Sequence, residues 1–105
     1  MISIRLSALF CCALLLGSAA QAQVRFNRDI RPIMSDTCFR CHGPDKNARM
    51  AGMRLDLREQ ALRPTDSGKT PIVPGKPEES EIIKRIFTED AGQIMPPVFA
   101  HKTLN

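Results

Sequence analysis

Apolar residues recur at helical spacing in two stretches of the chain. The stripe within residues 26–37 consists of Phe26, Ile30, Ile33 and Met34. These positions share one helix face, and Asn27 or Asp29 can cap the helix, so we predict a first helix that ends near Thr37. The later stripe consists of Ile82, Ile83, Ile86 and Phe87. We predict that this second stripe is buried on a helix that begins at Pro77, since proline is favoured as a first helical residue.

Between these stripes the pattern predicts a shorter helix and long loops. Asp56 and Glu59 have the spacing of a capping box, and the helix they predict ends before Pro64. The segment 65–76 is rich in proline and glycine, and the chain after Thr88 has no helical pattern. The expected fold class is therefore all-α, with long Pro/Gly-rich loops.

The N-terminal segment has the organisation of a signal peptide. Arg5 precedes an apolar run over residues 6–16, and Ala20-Gln21-Ala22 matches a cleavage site. The run is too short to cross a membrane, so we expect no stable membrane span after its removal. The pattern predicts a signal peptide at residues 1–22, one domain at residues 23–105, and export to the periplasm or another extracytoplasmic location.

Charge and cysteine content narrow the classes of function. The formal net charge is +4, and basic and acidic residues are interspersed, which argues against a nucleic-acid-binding surface. Beyond residue 22 the only cysteines are Cys38 and Cys41. We therefore expect no nucleic-acid partner and no structural disulfide.

The run Cys38-Phe39-Arg40-Cys41-His42 carries the most specific chemistry in the sequence. A C-x-x-C-H run is typical of covalent attachment of a c-type haem. Cysteines three residues apart lie on one side of a helical turn, within reach of the two vinyl groups of one haem. The next residue, His42, can offer a ring nitrogen to the iron as proximal ligand. The motif predicts one haem c per chain, bound through thioethers at Cys38 and Cys41.

The same motif also occurs in zinc sites and in dithiol redox pairs. A structural zinc ion needs four ligands, and the only other His or Cys beyond residue 22 is His101. A dithiol redox pair of the thioredoxin kind needs a βαβ context, which this proline-rich sequence does not indicate. Haem attachment remains the favoured interpretation.

A methionine is the expected second axial ligand of the iron. Met95 lies 53 residues after His42, which leaves enough chain to reach the opposite haem face. Pro96 and Pro97 stiffen the backbone directly after it. We predict Met95 as distal ligand, with Met53 as the second candidate and His101 as the third.

Several motifs that occur in order resemble the planctomycete-type cytochrome c domain. They are residues 26–33, 38–44, 52–58 and 74–77 with Ser80, and Met95-Pro96-Pro97. The resemblance implies the fold of the small single-haem cytochromes c, with His42 and Met95 as axial ligands. Only ten residues follow Met95, where the family would start its C-terminal helix. We therefore expect a domain incomplete at its C-terminus, with that helix missing.

A missing closing helix would leave the first stripe uncovered. We expect the N-terminal helix to be loosely folded, or the chain to self-associate through it. For function we expect a non-enzymatic electron carrier that exchanges one electron with a redox partner protein. The alternative is a haem enzyme or sensor in which peroxide or a small gas displaces Met95.

Overall fold

The computed structural model describes residues 21–105, which form short helices joined by long loops, with no β-strand among them. The elements are a π-helical turn at Phe26–Ile30, α1 at Arg31–Thr37, α2 at Arg58–Ala61, a 3₁₀ turn at Pro77–Glu79, α3 at Glu81–Phe87 and a 3₁₀ turn at Val98–Ala100. A helical architecture of this kind is compatible with a small cytochrome-like domain. The predicted signal peptide, residues 1–22, falls outside the described residues except for its last two positions. Within residues 21–105, no helix combines the length and apolar character needed to cross a bilayer.

The first predicted helix is present as the π-helical turn followed directly by α1. The Asp29 carboxylate accepts a hydrogen bond from the Arg25 backbone N–H at 2.8 Å, which stabilises the start of the segment. Its apolar stripe is unevenly covered. Met34 is buried, whereas Phe26 and Ile33 are 51% and 49% exposed. The described residues therefore leave about half of this face to solvent.

The core is small and lies between α1, α2 and the loop that joins them. Met34 from α1, Leu55 from the loop and Ala61 from α2 are its buried members. Half-buried side chains pack around them, namely Ile30, Cys38, Phe39, Met53, Ile72 and Ile82. One cysteine of the C-x-x-C-H motif is thus anchored directly against the core.

The predicted capping box at Asp56 is wrong. Helix α2 begins only at Arg58, and no side chain caps its N-terminus. The Asp56 carboxylate instead accepts two hydrogen bonds from the Arg54 guanidinium, at 3.0 and 2.6 Å. This pairing, which lowers the pKa of Asp56, outcompetes a single bond to a backbone N–H because both partners are charged.

The predicted third helix is divided, and its stripe is only partly buried. The Pro77–Glu79 turn ends at Ser80, which has an extended backbone. The Ser80 hydroxyl is buried and accepts a hydrogen bond from the Val73 N–H at 2.8 Å. Helix α3 then begins at Glu81. Ile82 packs against the core, but Phe87 is 77% exposed, so its predicted burial is wrong. Phe87 is the last residue of the helix and extends past the segments that cover the helix start.

Candidate functional site

The C-x-x-C-H motif forms a tight turn at the end of α1, here called the motif turn and comprising residues 38–43. The Met34 carbonyl accepts hydrogen bonds from the N–H groups of Cys38 and Phe39, at 2.7 and 3.0 Å. The Cys38 carbonyl then accepts from the His42 N–H at 2.9 Å. These bonds continue the helical path of α1 by one turn, which brings both cysteines and the histidine to one side of the chain.

Gly43 is required by the closeness of the backbone within this turn. A Cβ atom at position 43 would lie 2.0 Å from the Phe39 carbonyl oxygen, a backbone atom that cannot rotate away. The Gly43 carbonyl also accepts a hydrogen bond from Arg49 Nε at 2.9 Å. Any larger residue would therefore open the turn that carries the motif.

The loop that follows holds the motif turn from its other side. The Met50 N–H donates to the Cys41 carbonyl, and the Leu55 N–H donates to the His42 carbonyl, both at 2.8 Å. Because Leu55 is also a core residue, the backbone of His42 is tied to the core through its neighbour. The position of the histidine is thus fixed by the surrounding protein.

The His42 side chain is buried and incompletely paired. It is 9% exposed, and its Nδ1 atom has no hydrogen-bond partner among the described residues. Burial lowers the pKa of His42, and the nearby Met50 backbone opposes that shift only in part. The ring is therefore held in its neutral form, which is the form that binds metals.

The motif turn opens into a cavity of about 590 Å³, a size typical of cofactor sites. Cys38, Cys41, His42 and Met95 all line it, so the structure brings the four predicted site residues together. Most of the remaining lining is apolar. It includes Met50, Met53, Leu55, Ile82, Ile86, Ile94, Val98 and Phe99.

The other candidates for the distal ligand differ in their placement. Met53 lines the same cavity as Met95 and is half-buried. His101 is exposed, has a left-handed backbone and is not among the lining residues. Of the predicted candidates, Met95 and Met53 therefore line the cavity. Met50 lines it as well and is 49% exposed.

Charged side chains at the cavity are mainly basic. The basic residues are Arg40, Lys69, Arg85 and Lys102, and the acidic ones are Asp36 and Glu81. Three of the basic groups are already paired: Lys102 with Asp36 at 2.8 Å, and Lys69 and Arg85 with Glu81 at 3.4 and 3.0 Å. The remaining positive charge is of the sign that the two propionate groups of a haem require.

These features fit a haem. The cavity joins an apolar lining to two free, half-buried thiols and a buried neutral imidazole with an unpaired ring nitrogen. Metal-bound histidines use one ring nitrogen for the metal and the other for a hydrogen bond, so an imidazole with one unpaired ring nitrogen suits this role. Cys38 and Cys41 could hold the group covalently, and His42 and Met95 line the cavity that would contain its iron.

Met95 is reached through a loop, as the absence of a helical pattern after Thr88 predicted. Residues 88–97, here called the methionine arm, follow α3 and return to the cavity. The Met95 N–H donates to the Arg85 carbonyl at 2.9 Å, and Arg85 Nη1 donates to the Gln93 carbonyl at 3.4 Å. Sequence reasoning missed Arg85 as a site residue, although its spacing of four from Glu81 indicated an ion pair on one helix face.

Comparison with known proteins agrees with this site. No curated protein and no solved structure matches the chain. The family model described as Planctomycete cytochrome C matches residues 38–98, a stretch that begins at the first cysteine of the motif turn and includes Met95. Cytochromes c bind haem and transfer electrons, and the match covers more than half of the sequence. The chain therefore belongs to the planctomycete cytochrome c family.

Proposed function

We propose that this chain is an exported electron carrier that binds one haem c covalently and uses His42 and Met95 as axial iron ligands. The observation that supports the proposal best is the shared cavity. His42 and Met95 are 53 residues apart in sequence, yet both line it together with the two motif cysteines. An electron carrier needs no substrate pocket beyond the one that holds its cofactor.

The motif cysteines are suited to covalent attachment. Both are free and half-buried at the cavity. Each thiol would add its S–H across one vinyl double bond, so that a thioether forms and nothing else is released. The hydrogen bonds of the motif turn fix the separation of the two cysteine backbones. This fixed spacing lets both sulfur atoms serve the same cofactor.

The two proposed iron ligands are held in different ways. Burial keeps the His42 ring neutral, so a nitrogen lone pair is available without the loss of a proton. The Met95 thioether is neutral at any pH and is a soft ligand. Bound haem supplies a one-electron couple between ferric and ferrous iron, and methionine ligation raises its potential. The apolar lining excludes water from the ligands and so favours their retention.

A redox partner protein would approach over an apolar surface. Val98 and Phe99 line the cavity and are 70% and 67% exposed. Met50, also at the cavity, is 49% exposed. Partly exposed apolar side chains around a cofactor site allow short-lived contact with a second protein, which is sufficient for electron transfer.

Covalent attachment is tested by expression with a cytochrome c maturation system. We expect the haem to remain with the protein through acid-acetone extraction. Cys38→Ala or Cys41→Ala should lower the yield of holoprotein, and His42→Ala should nearly abolish it. His101→Ala is the matched control, because His101 does not line the cavity. Free haem in the extract of the unmodified protein would contradict the proposal.

The distal ligand is tested by absorbance spectroscopy of the ferric protein. A sulfur-bound ferric haem gives a weak charge-transfer band, and we expect this band to be lost in Met95→Ala and retained in Met53→Ala. The reverse result would assign the distal position to Met53, which lines the same cavity.

The same spectra address the alternative of a haem enzyme or sensor. One observation favours it: the described methionine arm contains no buried residue, so Met95 could be displaced more easily than His42. A methionine-ligated carrier should change little when carbon monoxide is added to the reduced protein. An immediate shift of the main absorbance band would favour the alternative.

Export is part of the proposal and has its own test. The predicted signal peptide ends at Ala22, and its removal would leave Gln23 as the first residue. We expect the haem-containing protein in the periplasmic fraction, with an N-terminal sequence that starts at Gln23. An N-terminus at Met1 in the holoprotein would contradict cleavage.

A further inference from the structure

The methionine arm is joined to the preceding chain at a single residue. Within the arm, Asp90 organises a compact turn, because its carbonyl accepts hydrogen bonds from Gln93 and Ile94 at 2.9 Å each. Its carboxylate also accepts from the Gly92 N–H at 2.8 Å. Among residues 21–105, two hydrogen bonds connect this arm to the chain before it, and Arg85 takes part in both.

Arg85 contacts the arm with its backbone and its side chain. It lies in the last turn of α3, where carbonyl groups have no partner within the helix. Its carbonyl accepts the Met95 N–H at 2.9 Å, which satisfies one of these groups. Its guanidinium donates from Nη1 to the Gln93 carbonyl at 3.4 Å. One residue therefore holds Met95 itself and the turn that leads to it.

Glu81 orients the Arg85 side chain. Arg85 Nε donates to Glu81 Oε1 at 3.0 Å, one helical turn earlier in α3. The Glu81 side chain is only 18% exposed and is also paired with Lys69 at 3.4 Å. Burial raises the pKa of Glu81, but the bond from Arg85 and the charge of Lys69 outweigh it, so the pKa is lowered and Glu81 stays ionised. The Arg85 guanidinium is thus held by Glu81 on one side and by the Gln93 carbonyl on the other.

We propose that Arg85 is a positioning residue that keeps the Met95 thioether at the cavity. This proposal rests on the role of Met95 as distal ligand proposed above. The arm has no buried side chain among the described residues, so little packing energy holds it in place. Loss of the Arg85 side chain leaves one backbone bond between arm and helix, and a competing ligand then displaces the methionine more easily.

The test is competition between Met95 and imidazole for ferric iron in the holoprotein. In Arg85→Ala we expect imidazole to bind roughly threefold to tenfold more tightly, the effect of losing one partly exposed hydrogen bond. Lys84→Ala is the matched control, because it removes the same charge from the neighbouring, exposed position of α3.

Two further variants separate positioning from charge and from folding. Arg85→Lys retains the charge but not the planar fork, and it should restore part of the imidazole resistance. Glu81→Gln leaves Arg85 in place without its charged partner. Imidazole should therefore bind more tightly to this variant than to the unmodified protein, but by a smaller factor than in Arg85→Ala. Glu81→Gln also provides the measurement if Arg85→Ala fails to incorporate haem.

The outcomes distinguish this proposal from the function on which it rests. If the unmodified protein lacks the sulfur–iron band, the ligand assignment of Met95 is wrong. If the band is present but Arg85→Ala and Glu81→Gln both bind imidazole as Lys84→Ala does, the positioning role of Arg85 is wrong. If imidazole binds more tightly to Arg85→Ala but not to Lys84→Ala, the positioning role of Arg85 is supported.

Discussion

The motif turn and the methionine arm face the same cavity, but the protein holds them in different ways. The motif turn has hydrogen bonds on both sides, a buried glycine and a direct connection to the core through Leu55. The methionine arm has no buried residue and is joined to the preceding chain at Arg85. One side of the site is therefore held by many contacts, whereas the other depends on a few polar contacts. The two ends of a single site can thus differ widely in local stability.

The sharpest test of this comparison replaces one glycine by alanine in the motif turn and one in the methionine arm. Gly43→Ala places a Cβ atom 2.0 Å from the Phe39 carbonyl, so we expect a loss of about 3 kcal/mol or more in unfolding free energy. The yield of holoprotein should fall with it. Gly92→Ala meets only the flexible Asp90 carboxylate, at 3.3 Å, and should cost less than about 1 kcal/mol. Urea unfolding of both variants provides the measurement, and equal losses would remove the distinction between the two sides.

The second test concerns the core beneath the motif turn. Leu55→Ala removes a side chain that is 6% exposed in the core and should destabilise the protein by about 2–3 kcal/mol. Phe87→Ala removes a larger side chain that is 77% exposed and should change stability by less than about 0.5 kcal/mol. Thermal unfolding compares the two. A larger loss for Phe87 would mean that α3 buries its apolar stripe after all.

The third test uses pH to examine the pair beside the core. The hydrogen bond from Arg54 lowers the pKa of Asp56 in the folded protein below its ordinary value of 3.8. The pair therefore contributes its full stability above pH 3.8, and this contribution is lost as the pH falls through the lowered pKa of the folded protein. Near neutral pH, Asp56→Asn should be about 1 kcal/mol less stable than the unmodified protein. In strong acid, at a pH below the lowered pKa of Asp56, the two should be equally stable. Urea unfolding at both pH values measures the difference.

The control for this pH test is Glu78→Gln. Glu78 is exposed and forms no ion pair among the described residues. The variant should therefore match the unmodified protein at both pH values. A stability difference for Asp56→Asn that persists in strong acid would show that the carboxylate acts through shape and not through its charge.

The smallest expected effect concerns the exposed stripe of the first helix. Phe26 and Ile33 are 51% and 49% exposed, and we expect them to mediate weak self-association. The double variant Phe26→Ser/Ile33→Ser should be monomeric at concentrations where the unmodified protein begins to dimerise. Sedimentation velocity at increasing concentration measures this. Amides of residues 26–37 that exchange as slowly as those around Ile83, in a protein that stays monomeric, would contradict the prediction.

The parts of the fold that the sequence predicted depend on local rules. The first helix followed from four apolar residues at helical spacing, and the loop over residues 65–76 followed from its prolines and glycines. The four proposed site residues came from a motif and a chain length, and the structure places them at one cavity. For the helix, the loop and the C-x-x-C-H motif, the information lies within a short stretch of sequence, whereas Met95 was predicted from its distance of 53 residues from His42.

The parts that the sequence did not predict depend on which of several possible contacts the folded chain makes. Asp56 had a backbone N–H and the Arg54 guanidinium within reach, and only the folded arrangement decides between them. Phe87 continues a helical stripe, but its burial depends on what covers the end of α3. Arg85 holds the methionine arm with its carbonyl, and a backbone group has no signature in the sequence. Tertiary context decides all three.

The contacts that shape the motif turn have a consequence for the order of folding. They join residues between three and thirteen positions apart, from the Cys38 carbonyl with Cys41 to the His42 carbonyl with Leu55. Closing such short loops costs little chain entropy, so this region can form early and fast. Met95 reaches the same cavity from 53 residues beyond His42, through a much longer loop. During maturation we therefore expect the chain to present its attachment turn, and to accept the cofactor there, before the distal ligand arrives.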